Sequence, residues 1–400
     1  FALVSITTPA FGGDLHLDVP SGMQVELWAE SPLFYNPTAM DVDERGRLWV
    51  TEAVNYRKWG GRNPGRDHEG GDRLVILSDT DGDGVCETSK VFAQGPELVS
   101  PLGVCVLGEG RVLVSCSPSA LLYIDDDGDD QADRHEVFLT GFGGPNHDHG
   151  LHSFVHGPDG EFYFAAGNAG PHLVTDAAGW QLRSGSVYVG GGEFTADNKP
   201  GLVSDDGRAW TGGLTLRVGK DGRGLGVMSH NFRNNYELAL DSFGNMYVAD
   251  NDDDGNRGCR TLWAMQGGNY GYFSEDGTRY WRADRRPGQS IPSAHWHQED
   301  PGVFPAGAIN GAGGPTGVCV YEGEPLKAWI DGAVLNADAG AGVVYAHKPK
   351  QIGAGYGMEA GWLIRGDKSE ERSAQWFRPS DVCVGTDGSV FVADWYDPGV

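Results

Sequence analysis

Three histidines crowd one short stretch of the chain, His147, His149 and His152 in GGPNHDHGLHSFVHGPDG. Imidazole titrates close to neutral pH, so His149 in a polar loop can take a proton from a substrate hydroxyl as a general base. The same residues allow a second chemistry, because His147-x-His149 and His295-x-His297 put alternate side chains of extended segments on one side, as zinc or copper ligands require. A third reading leaves them as hydrogen-bonded members of the loop. Carboxylates supply the other reactive groups. Asp79, Asp81 and Asp83 with Glu87, and Asp125, Asp127 and Asp129 with Asp133, repeat one D-x-D-G-D pattern followed by an acid. Alternate carboxylates on a glycine turn can surround calcium with oxygens, although both copies lack the final glutamate of an EF-hand loop. Asp250, Asp252 and Asp254 make a third acidic loop, able to place a cation beside an anionic ligand. Arg233 and Asn234, in HNFRNN, offer a guanidinium and an amide that suit a carboxylate ligand or a salt bridge to Asp250 or Glu52. Trp281, Trp296, Trp395 and the GGNYGY turn add aromatic faces, for a sugar or for packing.

The elements that position these groups come from a repeat. Six segments share one plan of apolar alternating run, tight turn and second apolar run, beginning near residues 38, 102, 152, 236, 316 and 380. Hairpins of this kind predict an all-β, six-bladed β-propeller formed by residues 1–400 as one domain, with insertions at 53–72, 171–232 and 270–313. The early segment QVELWAES has no hairpin partner of its own and is expected to help close the sixth blade. Antiparallel strands then divide the loops between two ends. One end collects Asn36, His149, Arg233, Asn234, Thr316 and Arg378 ahead of the first strands, with Glu52, Asn168, Asp250, Asp338 and Asp394 after the second. Such a polar rim around an opening is where a propeller binds small ligands. The acidic loops at 79–87 and 125–133 join third and fourth strands, so they belong to the opposite end and any ion there is structural.

A formal net charge of -26 excludes nucleic acid and anionic membrane as partners, since both are repelled by it. No run of about 18 apolar residues occurs, so no membrane span is predicted. The first residue is Phe1, which suits a signal peptide already removed and a secreted or periplasmic location; further chain beyond Val400 is also expected. Six cysteines can pair in an exported protein, but Cys105, Cys319 and Cys383 share one place in the repeat and read as buried residues of inner strands.

LWVTEA, NHDHG before a GPDG hairpin, FRNN, GGNYGY and FRPSDVCVGTDGSVFVADW together resemble the soluble aldose (glucose/sorbosone) dehydrogenases that use pyrroloquinoline quinone (PQQ). More closely they resemble planctomycete-type membrane-bound dehydrogenase propellers, and the likeness spans nearly the whole chain. The resemblance implies His149 as catalytic base, Arg233, Asn234 and Arg378 as contacts to PQQ, and the Asp250–Asp254 loop as the calcium site that holds it. It also implies a small carbohydrate or alcohol substrate and a cytochrome c electron acceptor. Two positions depart from that pattern, Asn168 where the dehydrogenases orient the base with an acid, and the stretch near Gly340 where they carry a lysine. Two other functions fit the rim. A metal-dependent hydrolase or lyase would act on a sugar lactone or glycoside through Glu52 and Asp250, and a non-catalytic propeller would bind carbohydrate or protein.

Overall fold

Six antiparallel sheets stand around one axis in a computed structural model that describes residues 2–7, 16–56, 68–144, 148–188, 197–253, 256–367 and 376–395. Blade 1 runs Pro37–Val42, Leu48–Glu52, Arg73–Ser78 and Thr88–Gln94 from the axis outward, and blade 2 runs Gly103–Gly108, Arg111–Cys116, Ser119–Ile124 and Arg134–Thr140. Blades 3, 4 and 5 begin with the hairpins Leu151–His156/Phe162–Ala166, Asn234–Leu240/Met246–Asn251 and Pro315–Tyr321/Ala333–Asp338. The six innermost strands are those expected from the repeat. Blade 6 pairs Pro379–Val384 and Val390–Asp394 with two strands from the other end of the chain, Ala2–Thr7 and Gln24–Glu30. The expected closure by QVELWAES is therefore present, and Ala2–Thr7 lies between it and the C-terminal hairpin.

Local chemistry explains the hairpins. Val, Leu and Phe alternate along the strands and pack between blades, as in the cluster of Leu113, Phe154, Phe162, Phe164, Leu214 and Leu216 between blades 2 and 3. Turns close on an aspartate and a glycine. In blade 1 Asp43 Oδ1 accepts from the amides of Arg45 and Arg47 while Gly46 holds φ +79°, and Asp241 with Gly244 at φ +82° does the same in blade 4. Only a residue tolerant of the left-handed region closes such a turn cheaply.

Two insertions build up the rim. The one after the second strand of blade 3 contains the hairpin His172–Thr175/Gln181–Ser184 and continues to Tyr188. The other leaves the third strand of blade 4, climbs beside the outer strand of blade 3 through parallel pairs Ser229↔Gly268 and His230↔Asn269, and carries the helices Trp281–Asp284 and Ile291–His295. All six cysteines are free thiols. All three repeat cysteines border the central channel; Cys105 is buried as expected, whereas Cys319 and Cys383 are half-buried. Among the described residues, no helix is long and apolar enough to cross a membrane.

Candidate functional site

The rim begins with a structural duty repeated from blade to blade. The chain enters each innermost strand with backbone N–H groups that no sheet partner covers, and a buried donor left unpaired is costly. In four blades an acid that is the last or next-to-last residue of the second strand supplies the acceptor. Glu52 accepts from the amide of Tyr35 (2.9 Å), Asp250 from those of Arg233 and Asn234 (3.2 and 2.9 Å), Asp338 from Gly314 (2.7 Å) and Asp394 from Arg378 (2.7 Å). All four carboxyl groups are displaced upward by burial, Asp338 and Asp394 to about 6. Two are also locked by arginine. Arg73 forks onto both oxygens of Glu52 (2.6 and 2.8 Å), and fully buried Arg260 meets Asp250 Oδ2 (2.7 Å) beneath the Trp296 ring, 3.5 Å from its guanidinium.

Blade 3 departs from this pattern. Ala166 occupies the position of the capping acid, and the polar group comes two residues later as Asn168. Its Oδ1 lies 2.7 Å from His149 Nδ1, with both residues buried. An amide oxygen only accepts, so Nδ1 carries the hydrogen and Nε2 the lone pair. Backbone bonds hold the two residues in place, from Ala169 N to His149 O (3.1 Å) and from Asn168 N to Arg233 O (2.9 Å). Tyr188 stacks over the His149 ring at 5.5 Å and 19°. His152 has a different task. It is fully buried, faces the backbone carbonyls of Asn235 and Asp148, and stacks on Tyr236. His147 lies outside the described residues.

At the same rim a cavity of about 110 Å³ opens, lined by Tyr56, Tyr236 and Trp395 rings with Asp148, Asn234 and Arg378; Asp148, next to His149, and Asn234, across Gly167 from it, bring its wall to this pair. Asn234 Oδ1 and Arg378 Nε are buried without a hydrogen-bond partner among the described residues, so the wall offers one acceptor and one donor to a ligand. Arg378 Nη1 donates to Ala339 O (3.1 Å), which fixes the guanidinium. Arg233 lies further out, its Nε on Asp253 (3.0 Å). Asp253 in turn accepts from Tyr272 Oη (2.6 Å) and Trp281 Nε1 (2.9 Å) and so ties the second insertion to the rim.

The structure brings the expected site residues together unevenly. Asn234, Arg378, His149 and Asn168 share the rim with the cavity, whereas Glu52 and Asp250 turn their oxygens to arginines and backbone amides. The acidic loop beyond Asp250 is likewise held by protein donors. Asp252 is buried and accepts from Gly258 N and Cys259 Sγ, and among the described residues this loop forms no group of three ligand atoms. Asp254 lies outside the described residues. The opposite-end loops also hold their carboxylates on backbone amides, but there the oxygens converge. Asp79, Asp81, Asp83 and Glu87 place one oxygen each within 4.8 Å of the others, as do Asp125, Asp127 and Asp133. Asp129 leaves its group by accepting from Gln131 N and Nε2 (2.9 and 2.8 Å). Asp127 is held above the usual carboxylate range by repulsion from Asp129 and Asp133.

Among the described residues no histidine joins a metal-ligand group, so the His-x-His reading gains no geometry. His295 pairs with Asn256 and packs against Trp296, and His297 contacts Gly271 O and Asp284. Of the three tryptophans, Trp395 reaches the cavity; Trp281 and Trp296 serve Asp253 and Arg260. Sequence reasoning missed Tyr188, Tyr56 and Arg260. Tyr188 lies in an insertion outside the repeat, but Arg260 could have been suspected from its place opposite Asp250 in the next strand.

Solved structures share this architecture. The PQQ-bound aldose sugar dehydrogenase of Streptomyces coelicolor aligns with a TM-score of 0.56 at 15% identity over 94% of this chain and 90% of that one. The holo PQQ domain of pyranose dehydrogenase from Coprinopsis cinerea gives 0.61 at 14% identity over 96% and 98%. The calcium structure of a family AA12 carbohydrate-active enzyme from Trichoderma reesei gives 0.54 at 12% over 94% and 96%. At these identities the likeness is one of fold. No curated protein sequence matches the chain. A family model described as Domain of unknown function (DUF7133) matches residues 15–399, and the chain belongs to that family.

Proposed function

We propose that the rim is the active face of a dehydrogenase-like propeller that oxidises a small carbohydrate or alcohol, with His149 as the base that takes the hydroxyl proton. One observation carries this reading. Where four blades use a carboxylate to cap their own backbone, blade 3 has an amide holding an imidazole with its Nε2 lone pair defined. That is the arrangement a general base needs. Tyr188 restricts the ring plane. Asn168 orients His149 but brings no negative charge to stabilise an imidazolium, so the base is weaker than one backed by a carboxylate.

The cavity walls fit a planar group with polar edges. Tyr56, Tyr236 and Trp395 offer ring faces, and Asn234 Oδ1 and Arg378 Nε offer an acceptor and a donor without a partner among the described residues. These residues would hold PQQ, and Arg233, held on Asp253, would add positive charge at the rim. When bound, PQQ supplies a two-electron acceptor for hydride. A lysine at position 340 itself would clash, because a Cβ there would lie 2.5 Å from the carbonyl carbon of Gly313. Calcium is proposed for the loops at 79–87 and 125–133 as a structural ion. The buried charge of Asp250 is balanced by Arg260 and needs no cation. A cytochrome c-type electron acceptor, a periplasmic or secreted location and kinship with planctomycete-type membrane-bound dehydrogenases complete the reading.

The test is reconstitution with PQQ and Ca²⁺, following quinone binding by absorbance and dye reduction with a panel of aldoses and alcohols. Binding with sugar-dependent reduction is expected. His149→Ala should remove turnover and leave quinone binding within about twofold, since it deletes the base without touching Asn234 or Arg378. Absence of quinone binding at saturating PQQ would sink the proposal, and survival of turnover in His149→Ala would remove the base.

A further inference from the structure

Below the rim the channel widens into a chamber of about 300 Å³, and the carboxyl groups that face it serve no rim chemistry. The innermost strand of each blade turns a free edge to the channel, and exposed edge amides need acceptors. Asp381 of blade 6 accepts from Met40 N of blade 1 (2.5 Å), Asp41 of blade 1 from Val106 N of blade 2 (2.7 Å), and Glu237 of blade 4 from Val318 N of blade 5 (2.7 Å). Glu237 also lies near Ser153 of blade 3 and meets Asp381, whose Oδ1 stands 1.9 Å from where a Cβ on Gly317 would lie, one residue before the amide that Glu237 caps. The Glu237–Asp381 contact therefore joins amides and side chains from blades 1, 3, 4, 5 and 6, and Asp41 extends the set to blade 2.

Two carboxyl groups in contact inside a protein cannot both be ionised without strong repulsion. Among the described residues that line the chamber, none supplies a counter-charge. Asp41, the Cys105, Cys319 and Cys383 thiols and His156 face the chamber, and among its described lining residues there is no lysine or arginine. Above stand Tyr236 and Asp148, and Asp43 lies beside Asp41. Burial holds the three thiols and the Tyr236 phenol well above their ordinary range, so all four are neutral, and burial with the nearby Lys220 lowers His156.

We propose that Glu237 and Asp381 hold one proton between them, and that this proton bolts the six inner strands together beneath the rim cavity. Tyr236 and Ser380, the residues just before the two acids, line that cavity, so loosening the bolt loosens its floor. Burial and mutual repulsion push Glu237 up to about 7 and Asp381 well above the usual range. A carboxyl raised in the folded state adds stability at acid pH that is lost as the pH rises through the folded value, here near neutrality.

The experiment compares wild type with Glu237→Gln. The glutamine keeps an oxygen for Val318 N and gives Asp381 a permanent N–H in place of the shared proton. Amide exchange of the peptides covering 37–42, 315–321 and 379–384, corrected for intrinsic rates, is measured at about pH 6 and about pH 8.5. Wild type should lose roughly tenfold of its protection between the two, and Glu237→Gln should lose less than about twofold. Equal losses in both proteins would overturn the proposal. A wild-type infrared titration needs no variant, and the protonated-carboxyl band should vanish across neutrality. Absence of that band at about pH 6 would refute the shared proton, and so would restoration of protection at about pH 8.5 by added Na⁺ or Ca²⁺, which would make the bolt a cation.

Discussion

Replacing Asn168 by aspartate tests the rim chemistry at one atom. The substitution keeps the 2.7 Å acceptor for His149 Nδ1 and exchanges a neutral amide for a charge. It loses no existing hydrogen bond, because Asn168 Nδ2 has no partner among the described residues. Charges about 4 Å apart attract by about 4 kcal/mol at an effective dielectric near 20, equivalent to about three pH units. Desolvation opposes this, since residue 168 is 1% exposed and the new carboxylate must lose its water there. The net expectation is that the imidazole titrates about one to two pH units higher in Asn168→Asp. The sign for stability follows, because an imidazolium favoured in the folded state adds stability at acid pH that is lost as the pH rises through its shifted titration. Heteronuclear NMR of the His149 ring measures the shift directly and needs no turnover. In a reconstituted enzyme the acid limb of the pH profile should move up by the same amount. If the ring titrates at the same pH in both proteins, residue 168 does not hold it, and the reading of blade 3 fails.

Two further predictions concern one support of the rim and the acidic loops at the opposite end. Arg260→Met leaves the fully buried Asp250 without its 2.7 Å partner, and breaking such a pair costs about 3–5 kcal/mol; denaturant unfolding measures it, and Asp250→Asn in the same chain should recover part of the loss. A cost under about 1 kcal/mol would mean that Asp250 stays ionised by some other contact or takes up a proton. For the loops at 79–87 and 125–133, chelator should lower the melting temperature by a few degrees and calcium restore it, as mass action requires of an ion bound to the folded state. The variants Asp81→Asn and Asp127→Asn should each bind fewer ions by terbium luminescence, and a melting temperature indifferent to chelator would leave both loops as acidic turns.

The blades were legible because each hairpin carries its own instructions, an alternating apolar run and an aspartate–glycine turn such as Asp43 with Gly46. Strand Ala2–Thr7 was not, since its partners lie at opposite ends of the chain and no local pattern joins Leu3 to Ala393. The acids of the rim show a different limit. Sequence reveals that Glu52, Asp250, Asp338 and Asp394 fall at one place in the repeat, and an acid at the mouth of a propeller reads as a ligand. What the sequence conceals is the orphaned backbone N–H at the start of each inner strand, which binds each acid before any cation or substrate can. The same demand recurs in the channel, where Asp41, Glu237 and Asp381 cap edge amides of the next blade.

A repeat that must satisfy its backbone in every blade leaves little freedom for chemistry at the capping position. Blade 3 regains that freedom by meeting the demand from blade 2, where Ser117 Oγ accepts from the Leu151 amide (2.5 Å), with Ala166 in place of the acid; Gly167 N to Gly150 O and Ala169 N to His149 O then draw the two strand ends together. Gly167 permits this approach, because a Cβ there would lie 2.6 Å from the His149 carbonyl oxygen and 2.5 Å from Asn234 Oδ1. With the entry amide capped by Ser117, Asn168 is free to reach a side chain. On this argument the distinguishing residue of the site is Gly167 as much as His149, since any side chain at 167 would push apart the imidazole loop and the Asn234 wall that the proposed chemistry needs together.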